Sequence, residues 1–193
     1  MSIKSDDSYS CRTETENSVN GCVDSVIQDN ELNDALAIIE KYAAEGQALE
    51  ELQLEILSVV ADAFDILGRS DALNGNWLRA RDCFSKNLGL RARIFTKTNH
   101  IEDSIKLSEA YKNCGQIEMN LKNNTDARKC YSDALYIAEK AFRETGSPSC
   151  LTLITDIHSQ LEGIAKLQND SESANYHYNS RKMIEELRTI RNI

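Results

Sequence analysis

Proline is almost missing from this chain of 193 residues, which carries only Pro148. Aromatic residues are few as well, at 6%. A chain with so little proline and so few aromatics favours long helices over strands. No apolar run approaches the ~20 residues needed to cross a bilayer. The first 17 residues are polar and lack the apolar stretch of a secretory signal. Positive charge is in deficit: 22 Lys and Arg stand against 31 Asp and Glu, a net of −9. That balance disfavours non-specific nucleic-acid binding, which needs clustered cations to neutralise phosphates.

The patterns that carry chemistry are absent too. None of the six cysteines forms a C-x-x-C pair, and His100, His158 and His177 lie far apart, with no carboxylate at ligand spacing. No serine occupies a G-x-S-x-G elbow, and Gly115 and Gly163 are lone glycines in helical runs rather than a phosphate loop. The expectation is a protein without catalytic residues, cofactor or metal, not an enzyme. Its cysteines are expected to be reduced, in a cytoplasmic protein.

A repeat is present. Ala80, Arg81, Cys83, Phe84, Ser85, Leu88, Phe95 and Thr98 align with Ala127, Arg128, Cys130, Tyr131, Ser132, Leu135, Phe142 and Thr145, always 47 residues apart. Ala174, Tyr178 and Ile184 continue the series at the same offset. Self-similarity at a fixed period is the signature of one stacked supersecondary unit. Asn76, Asn123 and Asp170 share the offset, and each precedes an amphipathic run. All three are N-cap types whose side-chain oxygens can accept from free helical N–H groups.

Residues 1–17 read as a polar tail and residues 18–193 as the repeat domain, with copies at about 18–46, 49–97, 99–145 and 147–191. Val19, Cys22, Val23, Val26 and Ile27 mark one helical face, and Ala35, Ile38, Ile39 and Tyr42 another. In the first full copy, Ile56, Val59, Val60, Ala63, Phe64 and Leu67 are expected inward on the A helix, and Ala80, Phe84, Leu88, Ala92 and Phe95 on the B helix. Gly146 ends one helix, and Ser147 with Pro148 opens the next.

Phe64, Leu67, Gly68, Ala80 and Phe84, and again Tyr111, Gly115, Ala127, Tyr131 and Ala134, resemble the tetratricopeptide repeat pattern. Cys114 stands for its leucine. The third copy keeps Leu161, Ala174 and Tyr178, but Glu162 replaces the glycine, Arg181 the last alanine and His158 the packed aromatic. The period exceeds the family's usual 34 and lengthens both helices by about two turns. In that respect the chain is similar to long-repeat bacterial tetratricopeptide proteins. HEAT and armadillo repeats share the period, but the glycine-bearing aromatic pattern and the single proline favour the first resemblance.

The resemblance implies an all-α, right-handed solenoid of antiparallel helix pairs whose A helices line a concave face. Its groove positions, carried onto this chain, are Asp62, Asp65 and Arg69, then Glu109, Lys112 and Gln116, then Asp156, Ser159 and Gly163. Helical spacing extends the stripe to Glu55, Ser58, Glu102, Ile105 and Thr152. Lys112 matches one position of the family's carboxylate clamp, but Asp65 and Ser159 occupy the others, so a chaperone-tail clamp is not expected. The expected function is a scaffold that binds a protein or peptide, with a preference for a basic partner because the stripe is rich in acids. A peptide-signal sensor or the interaction subunit of a larger complex are the alternatives. Met183, Ile184, Leu187 and Ile190 cannot all turn inward, so a homodimer through the C-terminal helix is also expected unless Lys182, Arg188 and Arg191 cover the strip.

Overall fold

The structure, a computed structural model, describes residues 47–191. The expected tail and first short repeat lie outside the described residues. The chain divides into two compact units, Met1–Gln53 and Leu54–Ile193, and the second carries everything that follows.

Among the described residues there are helices and no strands. They are α1 (Gln47–Leu73), α2 (Trp77–Thr98), α3 (Ile101–Asn120), α4 (Asn124–Thr145), α5 (Pro148–Leu167) and α6 (Ser171–Arg191). Local chemistry sets most of the boundaries. Gly75 and Gly146 take positive φ, 76° and 65°, at the ends of α1 and α4, where a side chain would be strained. Pro148 opens α5, where its missing N–H costs nothing.

Each helix packs on its neighbour in sequence, and α3 also touches α5. Contacts between partners run in opposite order. Gly68 meets Phe84, the Ala61 carbonyl accepts from Asn87, and Ser58 accepts from Arg91. The main core lies between α4 and α5, where Ala127, Tyr131, Ala134 and Ala138 meet Leu153, Ile154, Ile157, Leu161 and Ile164. A smaller core joins Ala80 and Phe84 to Ile117. The alanines of α4 bring backbones close, and Tyr131 fills the space between them at 1% exposure.

The inward stripes differ from the expected ones in α1 and α2. Leu57 and Ala61 are buried with Phe64 in α1, while Val59 and Ala63 are exposed. In α2 the buried series is Ala80, Phe84, Asn87, Arg91 and Ile94, and Leu88, Ala92 and Phe95 are half-buried. Asn87 and Arg91 turn inward because α1 supplies their partners: Asn87 donates to the Ala61 carbonyl, and Arg91 donates to Ser58 Oγ at 3.0 Å and to Asp62. A buried polar group is tolerated when it is hydrogen-bonded.

The N-cap expectation holds at one of three positions. Asp170 Oδ1 accepts the Ser173 N–H at 3.0 Å. Asn76 and Asn123 make no side-chain cap bond; their amides donate to carboxylates five residues back, Asp71 at 3.4 Å and Glu118 at 2.9 Å. The equivalent of those carboxylates in the third copy is Ala165, so Asp170 has no such neighbour and caps its helix.

The third copy is packed differently. Glu162, at the place of Gly68 and Gly115, is buried, and Tyr178 is 39% exposed rather than inserted as Phe84 and Tyr131 are. Glu162 is held by Lys166 at 2.5 Å and by Arg181, whose Nη2 is 3.3 Å from Oε2 in an ion pair without hydrogen-bond geometry. The two departures from the motif, Glu162 and Arg181, therefore compensate one another. His177 turns inward beside His158, with their Nδ1 atoms 2.9 Å apart.

Candidate functional site

Two hollows share a border between α1, α2 and α3. The larger, about 400 Å³, has an apolar floor of Leu73, Trp77, Phe84 and Ile117 and a polar rim of Arg69, Asn113, Gln116 and Asn120. Its amides lie on one face of α3, at i, i+3 and i+7. The smaller, about 110 Å³, is lined by Asp62, Asp65, Arg69, Asn87, Arg91, Lys106, Glu109 and Asn113. Arg69 and Asn113 belong to both, so the two form one cleft with an apolar half and a charged half.

Electrostatics in the charged half are largely internal. Asp65 accepts from Arg69 Nε at 2.7 Å and from Asn113 at 2.9 Å. Asp62 faces the buried Arg91. Two of the acids expected to attract a basic partner thus already neutralise cations of the fold. Glu109 is exposed, with Lys106 in the same hollow.

The structure brings together Asp62, Asp65, Arg69, Glu109 and Gln116 of the expected groove residues. Glu55, Glu102 and Asp156 are exposed and Lys112 is half-buried, none of them lining these hollows. Ser159 accepts from Arg181 at 3.1 Å and serves the α5–α6 contact. Sequence reasoning missed Leu73, Trp77, Asn113 and Asn120. Asn113 and Asn120 could have been found as the amide stripe through Gln116. Leu73 and Trp77 flank a loop, and nothing local marks them as a floor.

No chemistry emerges elsewhere among the described residues. Cys83, Cys114, Cys130 and Cys150 are free thiols, and burial pushes Cys114 up to about 12. A thiol so disfavoured as thiolate is a packing residue, not a nucleophile. Burial, and then the facing His177, brings His158 down to about 4. Burial and then Arg128 lower His177, against Glu162 and Asp170. Among the described residues no group of three or more His, Cys, Asp or Glu side chains could hold a metal, and no helix is long and apolar enough to cross a membrane.

No protein-family model matches the chain, and no curated protein matches it. Among solved structures it is similar to one described as "DHF79 filament", at 15% identity and a TM-score of 0.43, covering 83% of this chain and 89% of that one. A likeness at that level carries no conclusion about fold family or role.

Proposed function

We propose that this chain is a non-enzymatic helical repeat protein of tetratricopeptide type that binds an extended segment of another protein in the cleft between α1, α2 and α3. In this reading the helices form antiparallel pairs stacked as a right-handed solenoid. The reversed order of contacts between partners and the α3–α5 contact one period apart support it. The observation that carries the functional reading is the cleft itself. A floor of Leu73, Trp77, Phe84 and Ile117 takes a large apolar side chain, and the amides of Asn113, Gln116 and Asn120 can donate to and accept from a peptide backbone. Glu109, beside the apolar half, favours a cation in the flanking residue of the ligand.

The test uses Trp77, the only tryptophan in the chain. Peptides selected from a random library against the full chain should share one large apolar residue and should shift Trp77 emission on binding. Leu73→Lys and Gln116→Ala, both at exposed positions, should weaken those peptides, while Tyr136→Ser on another surface should not. Peptides that bind with unchanged emission and equal affinity for all three variants would remove the cleft from consideration. Glu109→Gln is the variant that probes charge, because neutralising Asp62 or Asp65 would also disturb Arg91 and Arg69.

A further inference from the structure

α1 carries a second surface, independent of the cleft's floor. Ile56, Val59, Ala63, Ile66, Ser70 and Leu73 follow one another at steps of three and four residues, the seam spacing of helices that pair along their length. Val59, Ile66 and Leu73 are 68%, 67% and 89% exposed. Two periods on, the equivalents of Val59, Ala63 and Ser70 are Leu153, Ile157 and Ile164 of α5, and all three are buried in the main core. The equivalent of Ile66 is the exposed Gln160. Thus α1 presents the stripe that α5 buries against α4, and widens it with an additional apolar side chain. Among the described residues no helix lies on it.

We infer that this stripe is the contact between two copies of the chain, their α1 helices pairing in antiparallel fashion about a two-fold axis near Ala63 and Ile66. The stripe is self-complementary in that arrangement alone. Ile66 of one copy falls on Ala63 of the other, and Val59 falls on Ser70, so each large side chain meets a small one and the helices approach closely. The flanking charges match as well. Asp62 of one copy lies opposite Arg69 of the other, twice by symmetry. Both retain free surface for it, with side chains 61% and 65% exposed despite their partners within the chain.

Head-to-tail stacking of α1 on another copy's α6 is not offered. Where α4 presents Ala134, Leu135, Ala138 and Phe142, α6 has Arg181, Lys182, Glu185 and Thr189. Arg181 and Lys182 lie over the Tyr178 ring, 5.9 and 5.3 Å from its centroid. The expected association through the C-terminal helix therefore gives way to pairing through α1, although Met183 and Leu187 remain exposed.

Sedimentation of the full chain over a range of concentrations tests the inference. A monomer–dimer equilibrium is expected, weakened about 100-fold or more by Ile66→Glu and by Val59→Lys, since each change enters the interface twice. Circular dichroism and melting should be unaltered, because both positions are exposed. Ile66 does not line the cleft, so peptide binding there should survive the loss of pairing. Oxidising a mixture of Ala63→Cys and Ile66→Cys chains should yield a mixed crosslinked dimer absent from the parent protein, and Val59→Cys alone should not crosslink to itself. A chain that stays monomeric, a dimer that tolerates both charged variants, or efficient Val59→Cys self-crosslinking would each overturn the inference.

Discussion

Tyr131 lies flat against the backbone of Gly115: a Cβ added at that glycine would stand 3.0 Å from the ring's Cε2 and 3.1 Å from two more ring atoms. Gly68 has the same relation to Phe84 one period earlier. Both rings are buried and cannot retreat, so the missing side chain is what allows the paired helices to close on the aromatic.

Alanine at two helical glycines should therefore act with opposite signs. Gly115→Ala gains about 1 kcal/mol of helix propensity but overpacks the ring at about 1–3 kcal/mol, for net destabilisation. Gly163→Ala meets nothing within 4 Å and should stabilise by about 0.5–1 kcal/mol. Urea melts of the two variants check the pair of signs.

Tyr131 and Tyr178 occupy the same repeat position but not the same environment. Tyr131→Ala removes a side chain 1% exposed and should cost about 3–5 kcal/mol. Tyr178→Ala, at 39% exposure under two cations, should cost about 1 kcal/mol. Equal shifts in melting temperature would mean that the third copy packs its tyrosine after all.

His158 and His177 make stability fall in mild acid. Their Nδ1–Nδ1 contact needs one protonated nitrogen and one lone pair, so it exists in the neutral pair. The folded state holds His158 at about 4, below its ordinary 6.5, and His177 is lowered too. A depressed histidine favours the neutral form, so its contribution is complete above pH 6.5 and is lost as pH falls towards 4. Over that window the His158 linkage amounts to about 3 kcal/mol. The double change His158→Phe with His177→Cys, which copies the residues of the first repeat, should flatten the denaturation midpoint between pH 7.5 and 5.

Arg91 is 5% exposed and is held by Ser58 and Asp62. Asp62→Ala leaves the guanidinium buried with one partner and should cost about 1–3 kcal/mol. Arg91→Met removes the charge itself. A double-mutant cycle should show that Asp62→Ala costs less in the Arg91→Met background, by about 0.5–2 kcal/mol. Strict additivity would show that the pair contributes nothing.

Much of this protein was legible in the residues because its signals are local and repeated. The 47-residue period, the glycines at Gly75 and Gly146, and Pro148 are each read within one turn of chain, and they place α1 to α6 within a few residues. The approach of Tyr131 to Gly115 followed from the motif. Of the cleft, Arg69 and Gln116 were accessible because they stand one period apart on equivalent helices. What tertiary structure decided depends on partners distant in sequence. Asn87 and Arg91 look like surface residues until α1 supplies Ala61, Ser58 and Asp62 to satisfy them, and that pairing rotates the buried stripe of α2. Glu162 and Arg181 look like two defects in a decaying repeat until they face each other. Tyr178 then has no glycine beneath it and His177 turns in instead. Hydropathy periodicity reports how apolar a face is, but whether a polar side chain can be buried is set by the groups that reach it across the fold.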